Sequence, residues 1–314
     1  MMEGYFRLFP EAASTIAGRV DGLFGFLIGV SLFFSALIFA LLLVFAIRYR
    51  RRSEDEQPPQ IERRDWLEVT WILIPLGLVM IMFVWGAKLY FNMMNPPDGA
   101  LEIYAIGKQW MWKFQHPEGP REINELHVPV GHPVKMTMTS QDVIHSFFVP
   151  AFRVKMDVVP GRFTHIWFEA TKPGVYHLFC AEYCGTMHAG MRGRVIAMRP
   201  TLYEEWLRSN VSGEPMASTG DSRFERLGCP TCHRADGGAP SLVGLFGTPV
   251  RLQSGATVTA DESYLRESIL NPRAKIVTGY QPIMPSFQGQ INAEELTQLI
   301  SYIKSLGQEQ KNGS

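Results

Sequence analysis

Two long apolar runs constrain this chain more than any other feature of its sequence. Residues 23–47 contain no charged side chain, and residues 66–90 contain only Glu68 and Lys88, near the ends of the run. Each run is long enough to cross a bilayer core of ~30 Å as a helix. The arginine-rich segment between them is predicted to be cytoplasmic, which places everything after Tyr90 on the extracytoplasmic side. The first run is expected to serve as an uncleaved anchor.

Length and charge limit the remaining possibilities. A chain of 314 residues exceeds the size at which one hydrophobic core usually stops growing, so several folded units are expected. The 30 basic and 30 acidic residues balance, which excludes the basic footprint of a nucleic-acid-binding protein. We predict an N-terminal segment with a two-helix transmembrane anchor at 1–95, a β domain at 96–205, a linker at 206–220, a helical domain at 221–307 and a flexible tail at 308–314.

The β domain ends in a loop that is rich in soft metal ligands. Short alternating stretches at 134–139 and 164–168, punctuated by Gly and Pro turns, predict an antiparallel β-sandwich before this loop. Within twelve residues the loop then presents Cys180, Glu182, Cys184, His188 and Met191. Sulfur and imidazole ligands favour copper over calcium or magnesium, and two thiolates can bridge two metal ions. A structural disulfide is the alternative, although it requires neither His nor Met.

The spacing C-x-E-x-C-G-x-x-H-x-x-M, with His145 upstream, resembles the dinuclear copper (CuA) site of cytochrome c oxidase subunit II. This resemblance implies a cupredoxin-like sandwich that holds two copper ions. By it, Cys180 and Cys184 bridge the ions, His145 and His188 cap them, Met191 is the weak ligand and Glu182 contributes its backbone carbonyl. The side chain of Glu182 is then expected to face the catalytic subunit, where the family holds a magnesium ion.

Three further positions are singled out by the same resemblance or by a departure from it. Trp110, in the segment 107–112, resembles the family's tryptophan that receives electrons over the copper site, and an ordinary core tryptophan is the alternative. Glu68 matches the glutamate at the mouth of one proton channel, although an acid at a helix end is often simply solvated. Arg192 and Arg194 follow the loop where mitochondrial members are more apolar, and we hypothesise that they dock the helical domain or a partner subunit.

The helical domain opens with the run Cys229-Pro-Thr-Cys232-His233, which is the signature for covalent attachment of c-type haem. A thioredoxin-like redox pair is the alternative, but the adjacent His and the missing βαβ pattern count against it. The whole segment resembles an all-α class I cytochrome c. The resemblance implies His233 as one axial ligand of the haem iron and Met284, in the loop 280–285, as the other.

A capping motif predicts where the last helix of this domain begins. Asn292 is followed three residues later by Glu295, which predicts a capping box. Leu296, Leu299, Ile300 and Ile303 form one apolar stripe after it. Class I cytochromes cross such a helix against their first helix. The histidines outside the ligand spacing, at 116, 127, 132, 165 and 177, are expected to be structural.

These resemblances imply an electron-entry subunit of a proton-pumping terminal cytochrome c oxidase in the bacterial cytoplasmic membrane. Electrons would pass from a cytochrome or respiratory-complex donor to one covalently bound haem c, then to the copper pair. The two apolar runs contain no histidine, so the site of oxygen reduction must lie on another chain, subunit I, accompanied by subunit III. The expected partners are therefore these subunits, the donor and membrane lipid.

Three other functions are weighed against this one. A quinol oxidase subunit shares the anchor and the fold but lacks the copper ligands, all of which are present here. A nitrous-oxide-reducing enzyme has a similar copper site but does not need a two-span anchor. A membrane-anchored scaffold with two disulfides would bind neither metal nor haem.

Overall fold

Residues 9–54, 64–210, 215–233 and 238–307 are described in the computed structural model. The predicted tail at 308–314, the middle of the predicted linker and most of the loop predicted to be cytoplasmic lie outside these ranges. The chain divides into one unit of residues Ile16–Asn95 and a second that contains Met1–Thr15 and Pro96–Ser314.

The smaller unit consists of the two predicted apolar helices, α1 (Ala17–Arg48) and α2 (Asp65–Met94). Both helices are long and apolar enough to cross a membrane, and their apolar side chains are exposed along most of their length. They pack through an aromatic pair, Phe26 and Trp85, whose ring centroids are 5.6 Å apart. Near the ends of the pair, Arg19 Nη1 donates a hydrogen bond of 3.1 Å to Asn92 Oδ1. The prediction of two helices that could span a membrane is confirmed.

A two-layer β-sandwich, here called the sandwich, forms the first part of the larger unit. Its strands are β1 (Leu101–Lys108), β2 (Met111–Gln115), β3 (Arg121–Ile123), β4 (Glu125–Pro129), β5 (Pro133–Ser140), β6 (His145–Val149), β7 (Val154–Val158), β8 (Thr164–Glu169), β9 (Gly174–Cys180) and β10 (Arg192–Met198). One sheet has the order β3-β2-β1-β5-β8, and the other has the order β4-β10-β9-β6-β7.

The pairing in these sheets is antiparallel except for one parallel pair in each, β1 with β5 and β4 with β10. The two alternating stretches seen in the sequence are neighbours, since Met136 of β5 pairs with Ile166 of β8. Their inward side chains, such as Met136 and Phe168, are fully buried, as are Trp112 and Phe147. The predicted sandwich is therefore confirmed, with the parallel pairs as an addition that alternation alone does not indicate.

The C-terminal domain, residues 216–307, follows a short helix α3 (Pro200–Ser209). Its helices are α4 (Met216–Arg226), α5 (Glu262–Leu270) and α6 (Ala293–Ser305). A small hairpin of β11 (Pro249–Arg251) and β12 (Thr257–Thr259) is present as well, so the described part of the domain is helical but not purely so. The predicted capping box at Asn292 and Glu295 is confirmed, and the predicted apolar stripe of α6 is buried.

The crossing of α4 and α6 corrects the predicted linker. Residues 206–209 belong to α3 and 216–220 to α4, so most of the described residues between 206 and 220 are helical. The small, polar composition has another cause. A β-carbon at Gly220 would lie 2.2 Å from the carbonyl oxygen of Gln298, so the two helices approach closely only because this residue is glycine. At Gly220 the small residue serves helix packing, and residues 211–214 of the predicted linker lie outside the described residues.

Candidate copper and haem centres

The predicted ligand loop joins β9 to β10 at one end of the sandwich. Cys180 is the last residue of β9, a 3-10 turn spans His188–Gly190, and His145 is the first residue of the neighbouring β6. The pairing of Phe147 with Cys180 brings the two segments together. Gly107 of β1 passes beside them, and a β-carbon there would lie 2.7 Å from the His145 ring. The ring therefore occupies space that any other residue at 107 would take.

All the predicted ligand atoms converge at this end of the sandwich. The Sγ atoms of Cys180 and Cys184 are 3.7 Å apart, too far for a disulfide, and both are free thiols. Around them lie His145 Nδ1 at 3.9 Å and the Glu182 carbonyl oxygen at 3.2 Å from Cys180 Sγ, and His188 Nδ1 at 3.5 Å and Met191 Sδ at 3.8 Å from Cys184 Sγ. The donor set is soft apart from one carbonyl, which fits copper.

A carboxylate fixes the orientation of the His145 ring. Its Nε2 lies 2.8 Å from Asp142 Oδ1, and because a carboxylate only accepts hydrogen bonds, Nε2 carries the proton. The other nitrogen, Nδ1, faces Cys180, with 3.9 Å between Nδ1 and Sγ. The backbone N–H groups of Gln109 and Val143 also donate to Asp142, each at 2.7 Å. Asp142 thus aligns the ring and is itself held in place.

Trp110 lies directly against the ligand loop. Its Nε1 donates a 3.2 Å hydrogen bond to the carbonyl oxygen of Cys184, and the side-chain amide of Gln109 donates to the same oxygen at 2.8 Å. The ring is half-buried. The side chain therefore joins the backbone of the ligand loop to solvent.

The two thiols of the loop have very different pKa values. Burial raises the pKa of Cys180, but hydrogen bonds with His145 and with backbone groups outweigh it and bring this pKa down to about 6. Burial, together with the hydrogen bond and the negative charge at Cys180, raises the pKa of Cys184 to about 12. The pair therefore carries one negative charge near neutral pH, and a bound metal must displace the second proton.

Exposed apolar side chains surround the ligand loop. They are Val143, Ile144, Tyr183 and Met187, with exposed fractions of 37%, 44%, 75% and 56%. The side chain of Glu182 is exposed beside them. An apolar surface with a carboxylate in it is typical of a protein interface, not of a surface that faces only water.

A cavity of about 360 Å³ lies inside the C-terminal domain, next to the predicted haem attachment turn. Among its lining residues are Cys229, His233 and Met284, together with apolar side chains from α4, α5 and α6. Nδ1 of His233 donates a 2.8 Å hydrogen bond to the carbonyl oxygen of Pro240, which leaves Nε2 as the free nitrogen. An apolar cavity with a thiol, an imidazole and a thioether in its wall fits haem.

The other residues predicted from the sequence lie outside the two groups of ligand atoms described above. Cys232 is half-buried at the end of the 3-10 turn Cys229–Thr231 and does not line the cavity. Glu68 lies in the first turn of α2, in the smaller unit. Arg192 donates to the carbonyl oxygen of Ala189, and Arg194 forms an ion pair with Glu125. These two arginines bond within their own part of the sandwich and do not supply the ionic contacts with the C-terminal domain.

Comparison with known proteins agrees with this arrangement. Residues 120–198 match the family described as cytochrome c oxidase subunit II, periplasmic domain, and residues 217–307 match the family described as cytochrome c. Cytochrome c oxidase subunit 2 of Alkalihalophilus pseudofirmus is 32% identical over 288 residues, which cover 87% of this chain and 82% of that protein. The chain belongs to the cytochrome c oxidase subunit II family.

Two other comparisons cover shorter parts of the chain. Cytochrome c oxidase subunit 2 of Synechocystis is 31% identical over 262 residues, covering 68% of this chain and 79% of that protein. The crystal structure of the periplasmic domain of subunit II of cytochrome oxidase from Bradyrhizobium japonicum is 32% identical, with a TM-score of 0.36, and covers 37% of this chain and 96% of its own. As a subunit II that carries a cytochrome c domain, the chain is part of an oxidoreductase complex, and its two families imply copper and haem.

Sequence reasoning overlooked Asp142 and Gln109. Asp142 stands three residues before His145, a spacing that could have marked it as a partner of the ring. Gln109 gives no such signal, since it reaches Cys184 across 75 positions of sequence.

Proposed function

We propose that this subunit accepts electrons from an external donor at a haem in the C-terminal domain and passes them to a dinuclear copper centre in the sandwich. From there they would reach a catalytic subunit that reduces oxygen to water. The observation that carries the proposal is the convergence of two imidazoles, a thioether and a carbonyl oxygen on a pair of thiols 3.7 Å apart, each group within 3.9 Å of one of the two sulfur atoms.

The proposed copper ligands are those implied by the sequence. Cys180, Cys184, His145 and His188 would hold two copper ions, the two imidazoles through Nδ1. Met191 and the carbonyl oxygen of Glu182 would complete the set. Such a copper pair would supply a centre that takes up and releases one electron. The protein contributes rigidity, because Asp142 holds the first imidazole and His145, Cys184 and Met191 are nearly inaccessible to water.

Three of the proposed haem ligands, Cys229, His233 and Met284, line the cavity, and Cys232 lies at the end of the adjoining 3-10 turn. Cys229 and Cys232 would hold the haem covalently, and His233 and Met284 would bind its iron, His233 through Nε2. Bound haem stores one electron, and a thioether ligand favours its ferrous form. The carbonyl oxygen of Pro240 keeps the His233 ring in the orientation that this ligation needs.

The apolar surface around the ligand loop is the proposed contact with the catalytic subunit I, with subunit III in the same complex. Tyr183 and Met187 supply the apolar area, and the exposed Glu182 carboxylate is placed to share a magnesium ion with subunit I. Trp110 is the proposed entry point for electrons to the copper pair. A reduced cytochrome or respiratory complex is the proposed donor to the haem.

The two apolar helices are proposed to anchor the subunit in the bacterial cytoplasmic membrane, with the sandwich and the C-terminal domain on the periplasmic side. Arg48 ends α1 and three more arginines follow it at 50–52, a bias that favours the cytoplasm for the loop. Glu68 is the proposed entrance residue of a proton channel in a proton-pumping oxidase.

Spectroscopy of the matured oxidase complex tests this proposal. We expect one covalent haem after denaturing electrophoresis, two copper ions per sandwich and a mixed-valence electron paramagnetic resonance (EPR) signal. Cys184→Ser should abolish that signal and leave the haem stain intact, whereas Cys229→Ser should do the reverse. Absence of both the covalent haem and the two-copper signal from matured wild-type protein would contradict the proposal.

A further inference from the structure

The C-terminal domain rests on the outer face of the sheet that contains β1, β5 and β8. Two charged side chains of the sandwich, Glu102 on β1 and Lys135 on β5, meet two of the C-terminal domain, Glu262 on α5 and Lys304 on α6. Lys304 Nζ lies 2.5 Å from Glu102 Oε2 and 2.8 Å from Glu262 Oε1. Lys135 Nζ lies 3.0 Å from Glu102 Oε1 and 3.3 Å from Glu262 Oε1. We name these four residues the four-charge ring.

Each lysine of the four-charge ring binds a carboxylate from both domains, and the charges cancel. The side chains are largely buried, with exposed fractions of 20% for Glu102, 22% for Lys135, 5% for Glu262 and 15% for Lys304. Burial raises the pKa of Glu102, but the two lysines outweigh it and bring this pKa down to about 2. The neighbouring His165 has its pKa lowered by burial, so it stays neutral and leaves the balance unchanged. Removing one member would leave an uncompensated buried charge.

Other contacts fix the same orientation of the two domains. Phe163, just before β8, is 6% exposed and belongs to the hydrophobic core of the C-terminal domain. Arg266 Nε donates a 2.6 Å hydrogen bond to the carbonyl oxygen of Gly161. The first residue of α4, Met216, donates from its backbone to the carbonyl oxygen of Pro117 at 3.0 Å. An apolar anchor and the four-charge ring thus act on one interface.

The connector is also held at both ends. On α3, the hydroxyl of Tyr203 lies 3.0 Å from Nδ1 of the buried His116, and Trp206 stacks on His127 at a centroid distance of 4.4 Å. On α4, Met216 is bound to Pro117 as described above. The described residues on both sides of 211–214 therefore contact the sandwich, whereas a tether that raised only the effective concentration would need no such contacts.

We propose that the four-charge ring locks the C-terminal domain on the sandwich in one orientation, so that haem-to-copper electron transfer occurs from a single docked geometry. The inference rests on the proposed function, because it assumes that electrons pass between these two centres. Lys304 is a positioning residue, acting through the placement of the haem. Because the ring is largely buried, salt screens it weakly, and intramolecular transfer in the wild type should be nearly independent of ionic strength.

Charge reversal in the intact oxidase complex tests this inference. Lys304→Glu places a third carboxylate in the ring, which should favour the undocked domain by on the order of 100-fold or more. Intramolecular transfer after photochemical reduction of the haem should slow by at least about tenfold and become dependent on salt. The haem-to-copper distance distribution from pulsed EPR should broaden. The quadruple variant Glu102→Lys, Lys135→Glu, Glu262→Lys and Lys304→Glu exchanges every sign, keeps all four contacts attractive and should recover both properties.

Lys155→Glu is the matched control, since Lys155 is paired with Asp157 inside the sandwich and carries the same change of charge. It should transfer electrons at the wild-type rate. A Lys304→Glu variant with the wild-type rate, or with a slower rate but an unchanged distance distribution, would overturn the lock. Haem and copper spectra of each variant are recorded first, so that a lost centre is not mistaken for a lost orientation. Failure of wild-type transfer with both centres present would instead count against the proposed function.

Discussion

Asp142→Asn is the sharpest test of how the sandwich holds its metal. Asp142 accepts three well-formed hydrogen bonds, from Gln109 N–H at Oδ2 and from Val143 N–H and His145 Nε2–H at Oδ1. An asparagine has only one accepting oxygen. If its oxygen replaces Oδ1, the N–H of Gln109 loses its acceptor, and in the flipped orientation both other donors lose theirs.

The magnitude follows from the better of these two orientations. One backbone N–H without a partner costs about 1–3 kcal/mol. The bond to His145 also changes from charge-assisted to neutral, which roughly halves its strength. Loss of a partner that orients a metal-bound histidine typically weakens metal binding by about 10–100-fold, or about 1.4–2.7 kcal/mol. The cost of the unpaired N–H and the typical loss of metal affinity are of similar size, so we expect copper binding to weaken by about 10–100-fold.

Copper retention is measured by competition with a chelator, following the mixed-valence EPR signal of the copper pair. Asp157→Asn is the control, because Asp157 accepts a 2.7 Å hydrogen bond from Ser146 Oγ, next to His145, but touches no proposed ligand. It should retain copper as the wild type does. If Asp142→Asn also retains copper as firmly as the wild type, the Asp142 contact does not orient the ligand and the reasoning fails.

Three further predictions concern the C-terminal domain and its interface. Gly220→Ala should lower the free energy of unfolding by about 1–3 kcal/mol, although alanine has the better helix propensity, because the new β-carbon meets the Gln298 carbonyl oxygen. Ser222→Ala, on the exposed face of the same helix, should change this free energy by less than about 0.5 kcal/mol. Both values are measured by denaturant unfolding followed through haem absorbance. The stabilisation that Glu102 gives the interface should be complete above its unfolded pKa of about 4.5, and up to about 3 kcal/mol of it should be lost as the pH falls towards 2. Glu102→Gln should make the stability of the interface less dependent on pH, as measured by acid titration followed by pulsed EPR. Met284→Leu should lower the haem reduction potential in a redox titration, and an unchanged potential would exclude Met284 as the axial ligand.

Features that depend on short spacing were predictable from the sequence. The ligands from Cys180 to Met191 lie in one loop, so their spacing alone indicated a common site, and the structure brings their donor atoms together. The capping box at Asn292 is equally local, since its two partners are three residues apart. The two apolar helices followed from composition and length alone. In each case the residues that interact lie within one turn, one loop or one helix.

Features that depend on distant pairing were not predictable. The four-charge ring joins residues 202 positions apart, from Glu102 to Lys304, and 127 apart, from Lys135 to Glu262. A charge on a strand or helix ordinarily indicates a solvated face, and nothing near these residues in sequence shows that another domain will cover them. The helical residues at both ends of the predicted linker escaped prediction for a related reason. Small residues favour both flexible chain and close helix packing, and only the position of Gln298 against Gly220 distinguishes the two.

The upstream ligand His145 shows why the sandwich itself belongs to the site. His145 and Phe147 point to the same face of β6, since side chains alternate along a strand. Phe147 pairs with Cys180 at the end of β9, and this register places His145 Nδ1 3.9 Å from Cys180 Sγ. A slip of one residue between β6 and β9 would turn His145 to the opposite face and separate it from both thiols. The apolar packing around Phe147 opposes such a slip, because Trp112 and Phe114 both contact its ring edge to face. The buried aromatic core therefore determines whether two distant segments can form one copper site.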